Sequence, residues 1–579
     1  VIAKFDKTSF DEYQIFSRIG EGSIGGKARG LAFINRLIKE NKLFNRFPDV
    51  LITIPRTVVL STDIFDEFMD HNNLYSVALS DISDNEILEK FLFAELPGRV
   101  YQDFYAFLSV SRTHPIAVRS SSKLEDSHYQ PFAGIYSTYM IPRIHDNKLM
   151  VKVLSDAIKE VYASVFYRGS KAYMAATANV IDEEKMGIIL QEVCGNRHGD
   201  IFYPTLSGVA RSINYYPIGS EKVEDGIANI AFGLGKLIVE GGQSLRFCPK
   251  HPRKILQLSS PDYALRDTQK EFRALDLRIE SFVPSTDDGI NILRLGINDV
   301  ENHAAMKLVA SSFDRNNNIL RDGIMYPGQK LITFAGILQH KSFPLAGILN
   351  TLLELGHREM NNHIEIEFAA NLETPPGTPK VFNFLQIRPV VHTDENHNIH
   401  LGTVNTDDAI IYSEAALGNG LFKEIHDLVY VRPESFNPSE TKNIAIEIDR
   451  INSLFAKEGR GYVLIGPGRW GSTDPWLGIP VKWPQISAAR IIVESGLKNF
   501  RIDPSQGTHF FQNLISFRVG YFTLNPYINE GHYDVGWLNR LEAVYQDRFI
   551  RHVRFSEPLD IMIDGKKNTG VIYKPGKRD

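Results

Sequence analysis

Cysteine is nearly absent: Cys194 and Cys248 are the only two in 579 residues, which excludes a disulfide framework and fits a reducing cytoplasm. A surplus of positive charge is missing as well. With 64 basic against 69 acidic side chains the net charge is -5, so no basic field points to a nucleic-acid partner. Long apolar runs are lacking too. The stretch around Ile188 to Leu190 falls far short of the ~20 residues that cross a bilayer, and no membrane partner is expected. No signal peptide opens the chain, and it starts Val1-Ile2-Ala3 without methionine, which leaves room for upstream domains; an oligomer is left open separately. The rest is the composition of an ordinary soluble globular protein, 43% hydrophobic and 23% charged. Its length exceeds one core and suggests about three to four domains or subdomains.

Against this background one stretch concentrates chemistry, HPIAVRSSSKLEDSHYQPFAG at His114 to Gly134. A short β-prone run, Ile116 to Val118, delivers Arg119 into a loop of three serines beginning at Ser120, and Glu125-Asp126 follow. A guanidinium fork suits phosphate oxygens, hydroxyls and loop amides can bond to them, and carboxylates can hold the divalent metal that accompanies a polyphosphate. A polar turn with a surface ion pair is the plainer alternative for any one of these residues.

Residues 19 to 41, IGEGSIGGKARGLAFINRLIKEN, read as a glycine-rich loop and a helix burying Ala28, Leu31, Ala32, Leu37 and Ile38. Lys27 stands just inside the helix start, where amides and the dipole favour an anion. This is not a P-loop: the first required glycine falls at Glu21, and Ala28 replaces the metal-binding hydroxyl. The glycines serve either phosphate contact or tight helix packing.

ITIPRTVV, 52 to 59, reads as one strand with an edge proline, and Leu149 to Ala175 as helical. MGIILQEV, 186 to 193, is an apolar strand ending in Gln191-Glu192, suited to adenine recognition or simply an ordinary core strand. SGVARSINYYPIG follows at 207 to 219. In AFGLGKLIVEGG, 231 to 242, Gly233 and Gly235 permit close backbone approach and Lys236 adds a cation.

The second constellation lies at His363 to Val390. HIEIEF alternates, with Glu365 and Glu367 on one face and Ile364, Ile366 and Phe368 on the other. VFNFLQIRPV also alternates, and strict period two puts Phe382, Phe384, Gln386 and Arg388 on one face. Paired antiparallel, the two strands bring carboxylates beside an amide and an arginine, either a magnesium-triphosphate platform or a salt-bridge ladder.

Seven motifs then stand in the order and wording of one family: IGGKARGL, IAVRSSSKLEDSHYQPFAGIYSTY, LQEV, SGVARS, GLGKLIVEGG, IEIEF and LQIRPV. Together they resemble the nucleotide-binding domain shared by phosphoenolpyruvate synthase and pyruvate phosphate dikinase, over residues 15 to about 392. The resemblance implies an α/β (α+β) architecture in which 1–392 is an ATP-grasp unit of several subdomains closing over ATP and Mg2+. It implies a phosphotransferase that passes the β-phosphoryl group to a histidine on a swivelling domain. By resemblance Lys27, Arg119 and Arg388 grip phosphates, and Glu367 and Gln386 sit at metal and nucleotide. Ser120, the acidic pair Glu125 and Asp126, and Gly235 fall within the nucleotide-binding motifs, and Gln191, Glu192 and Val193 line adenine. Glu365 takes the metal-ligand position where the family usually has aspartate, and Arg211-Ser212 replace its usual phenylalanine-threonine. Arg388→Ala is expected to abolish most ATP turnover with the fold intact.

No clear phosphohistidine motif of the TSHAA type is present, nor room for a pyruvate-binding barrel, so complete phosphoenolpyruvate synthesis is not expected. Residues 393–579 form a smaller α/β domain, acceptor or swivel. There GYVLIGPGRWGSTDPWLG, 461 to 478, offers Arg469, Ser472, Thr473 and Asp474 as an anion site or as a turn packed by Trp470 and Trp476. SAARIIVESG reads as helix or strand. His509, in a GTHF context resembling the swivelling domain's GG-T-H motif, is the candidate phosphoryl acceptor or a structural histidine. The rival functions are a nucleotide sensor or scaffold without transfer, and a direct small-molecule or glycan kinase.

Overall fold

The computed structural model describes residues 15–122, 125, 134–176, 184–278, 280, 282–390, 401–418, 420–498, 504, 508–565 and 567–577. It is a mixed α/β protein of two compact units. The first holds most of the chain to Val390; the second holds Val391–Asp579 and two short returns, Tyr215–Ile218 and Val239–Gly242. Among the described residues no helix is long and apolar enough to cross a membrane.

Two sheets of the first unit matter most. Among the described residues, one has five strands in the order Phe16–Ile19, Thr57–Leu60, Met186–Glu192, Ile116–Ser122, Thr138–Ile141. One face, with Val58, Ile116, Val118, Ile188 and Leu190, packs on a helical layer that includes Asn147–Ser164. The other face, with Val59 and Ile189, joins the core of a six-stranded sheet. That second sheet runs Leu245–Phe247, Ile227–Ala231, Leu206–Arg211, Ile364–Asn371, Lys380–Pro389, Val50–Thr53. The helix Gly25–Glu40 shares this core through Ala28, Leu31, Ile34, Leu37 and Ile38.

Three expectations are redrawn. The run 52–59 is not one strand: Val50–Thr53 belongs to the six-stranded sheet and Thr57–Leu60 to the five-stranded one. Pro55, which has no amide hydrogen to give a ladder, lies in the step between them. The helical stretch from Leu149 is two helices, Asn147–Ser164 and Arg168–Ala176. The three serines are not a loop, because the strand Ile116–Ser122 runs through all of them.

A fourth difference sits at the chemistry. Glu367 pairs with Gln386 while Phe368 pairs with Phe384, so Leu385 is an extra residue, a β-bulge. The bulge breaks period two. It turns Phe382 and Phe384 into the core with Ile366 and Phe368, and leaves Gln386 and Arg388 beside Glu367 and Glu365.

The second unit contains, among the described residues, a seven-stranded sheet whose adjacent strands Asp427–Val431, Tyr462–Pro467, Ala489–Ser495 and Gly520–Leu524 are parallel, and a five-stranded sheet. SAARIIVESG is thereby a strand at Ala489–Ser495. Asp427, 1% exposed, ties this unit by accepting from His552 Nε2 (2.7 Å), Arg554 Nε (2.8 Å) and Arg460 Nη1 (3.0 Å).

Candidate active site

The helix Gly25–Glu40 begins against the serine strand. Its Ala28 amide donates to Ser121 Oγ at 3.0 Å, and that hydroxyl donates to Ile24 O at 2.7 Å. The cap therefore comes from another strand, since Ile24 supplies no side-chain bond of its own. The approach is so close that a Cβ on Gly25 would lie 1.8 Å from Ser121 O, and one on Gly26 1.5 Å from Glu125 O. Gly25 also has φ +77°, so both glycines are required for docking. The loop ahead is occupied: the Glu21 and Gly22 amides donate to the Asp63 carboxylate at 3.1 and 2.9 Å. Against the rise that burial causes, hydrogen bonds from Ser61, Gly22 and Glu21 pull Asp63 down to about 2.

This docking delivers Lys27, 8% exposed, with Nζ 2.7 Å from Glu125 Oε1 and donating to Ser120 Oγ at 3.1 Å. Ser120 Oγ donates to the same carboxylate at 2.9 Å, and the Ser122 amide to its other oxygen at 2.8 Å. Asp126 lies outside the described residues.

Arg119 links the two sheets. Nη1 donates to Gln191 Oε1 (3.1 Å) and to the carbonyl of the bulge residue Leu385 (3.3 Å); Nη2 donates to Gln386 Oε1 (2.9 Å) and stands 4.0 Å from Glu367 Oε2. Gln191 in turn donates to Thr57 Oγ1 at 3.0 Å, so its amide positions Arg119. Glu192 Oε1 stands 3.9 Å from Arg56 Nε. Val193 is buried in an apolar cluster with Ala117, Phe202, Leu234 and Leu275. Gly235 is close to Ser207, and Lys236 pairs with Asp288 at 3.0 Å.

Arg388 Nη2 donates to Glu367 Oε1 at 2.9 Å, and its Nε to Glu365 Oε1 at 2.7 Å. Glu365, 1% exposed, also accepts from Arg211 Nε through Oε2. Burial would push the Glu365 carboxyl up, but the Arg211 and Arg388 guanidiniums outweigh it and hold the group below its ordinary value. Arg119, Arg388, Glu367 and Gln386 are thus brought together, with Glu365 sealed behind them, and Lys27 is held at Ser120 and Glu125, next to Arg119 in the chain. Asp63 and Thr57 join this network unmarked by the sequence, and Arg211, noted there only as a departure from the family, pairs with Glu365. An arginine closing the otherwise apolar strand LSGVAR was the available signal, because a buried guanidinium requires a carboxylate.

The loop of the second unit satisfies itself. The Trp470 amide donates to Glu494 Oε1 at 2.9 Å, and Ser472 Oγ donates to Gly241 O at 2.9 Å. Burial raises Glu494 to about 7 despite the Tyr521 hydroxyl donating to it. His509 is half-buried and opens the helix His509–Ser516, capped by Thr508.

A curated protein and a protein family resemble this chain. The "Uncharacterized phosphotransferase YvkC" of Bacillus subtilis (strain 168) is 28% identical over 190 residues, 33% of this chain. The match spans 20% of that protein's own length. Residues 21–405, well over half of the chain, match the family described as pyruvate phosphate dikinase, AMP/ATP-binding domain. The chain belongs to this family.

Proposed function

We propose that the first unit is an ATP-grasp site for Mg-ATP and that the chain is a dikinase-type phosphotransferase, passing a phosphoryl group to a histidine or to a bound acceptor. One observation carries the reading: Arg119, on one sheet, donates to Leu385 O and Gln386 on the other, where Arg388 donates to Glu367, and Lys27 reaches Ser120, the residue next to Arg119. Cations from three distant stretches would need no such convergence in a surface ladder. In-line phosphoryl transfer asks for positioning and charge neutralisation rather than covalent chemistry, and three fixed cations supply both. Lys27, Arg119 and Arg388 exchange part of their internal pairing for phosphate oxygens.

Glu367, with 18% of its side chain exposed, and Gln386 present two hard oxygens, a number that suits an octahedral cation completed by phosphates and water. Among the described residues no group of three or more His, Cys, Asp or Glu could hold a metal ion by itself, consistent with a site that forms only with nucleotide. When bound, magnesium would neutralise and orient the phosphate oxygens. Val193 and its apolar neighbours would flank the base. His509 is the candidate acceptor in the second unit.

ATP labelled at the β- or γ-phosphate tests this. Acid-labile β-label on the protein, with AMP released and the γ-label lost to water as inorganic phosphate, and all of it absent in His509→Ala, supports the histidine acceptor. AMP with a phosphorylated small molecule supports a bound acceptor, and nucleotide binding without any turnover defeats the enzyme reading.

A further inference from the structure

Three adjacent strands carry one row of buried charge, in which Glu365 stands opposite Arg211 on one side and Arg388 on the other. Arg211 and Glu365 are 1% exposed and Arg388 2%. Glu365 divides its carboxylate: Oε2 accepts from Arg211 Nε, while Oε1 accepts from Arg388 Nε at 2.7 Å and lies 2.5 Å from its Nη2. One row along, Glu367 stands opposite Gln386 and Val209, and it keeps 18% of its side chain exposed. Two carboxylates on one strand face are therefore in different situations. Moving Glu365 onto a divalent ion would strip charge-assisted bonds from two buried guanidiniums and leave both facing another cation. Glu367 would give up one bond from Arg388 Nη2, at 2.9 Å, while Arg388 stays held by Glu365.

We propose that Arg211 is a positioning residue for phosphoryl transfer: by holding Glu365 Oε2 it makes Glu365 a clamp that orients Arg388, and leaves the metal to Glu367 and Gln386. This rests on the reading of the cleft as a nucleotide site. Without Arg211, Glu365 can offer both oxygens to the Nε/Nη2 edge of Arg388 as a fork, which turns that guanidinium away from Glu367. The row Arg211, Glu365, Arg388 with Glu367 also balances two positive against two negative charges, a balance that a buried group of this kind requires.

The test uses the full chain with Arg211→Met, Arg211→Lys, Glu365→Gln, Glu367→Gln and the double variant Arg211→Met/Glu365→Gln. The readouts are Mn2+ bound in the presence of ATP by electron paramagnetic resonance, ATP affinity by calorimetry, kcat and KM for ATP, and urea unfolding. Arg211→Met and Glu365→Gln should each lower kcat on the order of 10- to 100-fold, with ATP KM and Mn2+ affinity within about threefold. Glu367→Gln should weaken Mn2+ about tenfold or more. Arg211→Lys should recover part of kcat. The double variant removes one charge of each sign, so it should unfold later than either single variant and turn over no more slowly than Glu365→Gln. It carries the test if a single variant does not fold. Equal weakening of Mn2+ by Glu365→Gln and Glu367→Gln overturns the proposal, and so do single losses that multiply in the double variant. Failure of the wild-type chain to bind Mn-ATP at all overturns the nucleotide reading, and this proposal with it.

Discussion

In the first unit the amides of Glu21 and Gly22 go to Asp63, and the glycines that follow let a helix dock and present Lys27. In the second unit the Trp470 amide goes to Glu494, and Gly466 leaves room for the Trp470 ring, which would lie 2.3 Å from a Cβ there. Both loops look like phosphate cradles in sequence, and in both these amides are already taken by a carboxylate. What separates them is the cargo. The first loop delivers a cation to Ser120 and Glu125, whereas the second delivers an indole into a core. The carboxylates that take these amides differ in the same sense: hydrogen bonds hold Asp63 down at about 2, and burial raises Glu494 to about 7. Glycine content therefore says where the backbone must come close, and the side chain next to it says why.

That contrast can be broken most severely at the cations. Arg119→Ala should cut ATP turnover roughly 100-fold or more, measured with labelled ATP, while Arg469→Ala should leave ATP binding by calorimetry unchanged. Arg388→Ala is less clean than the sequence suggested. It strands the buried Glu365 and Glu367 with less countercharge and should cost about 3–5 kcal/mol in urea unfolding as well as activity.

The glycines come next. Gly26→Ala forces a Cβ onto Glu125 O and should cost roughly 3 kcal/mol or more together with ATP binding. Gly471→Ala, where φ is +83° and the Cβ would meet the Phe510 ring at 2.6 Å, should destabilise comparably but spare ATP affinity. Loss of ATP affinity in both would erase the distinction between the loops.

Two buried carboxylates should show opposite pH slopes. Glu494 titrates higher in the folded chain than its ordinary 4.5, so the unfolded chain ionises first. Its contribution to stability falls as pH rises from about 4.5 to 7 and is level beyond, by at most about 3 kcal/mol. Glu365 titrates lower when folded, so its contribution is complete above 4.5 and is lost as pH falls through the folded value. Urea unfolding across pH should lose the first slope in Glu494→Gln and the second in Glu365→Gln. The smallest effect belongs to Asp63→Asn, about 1 kcal/mol from weakened bonds to Glu21 and Gly22, read as a modest drop in thermal midpoint.

Local period and composition determined a good deal by themselves. The helix Gly25–Glu40, the apolar strand Met186–Glu192, the alternating Ile364–Asn371 and the seven ordered motifs were legible because a 3.6- or 2-residue repeat, or a motif, is written within a few consecutive residues. Tertiary structure alone decided the rest. It split 52–59 between two sheets, set the bulge at Leu385 that points Gln386 and Arg388 at the cleft, and placed Arg211 against Glu365, 154 residues away. The physical reason is that cross-strand register and buried charge pairing are satisfied between residues distant in the chain, and period two carries no record of where one extra residue resets it.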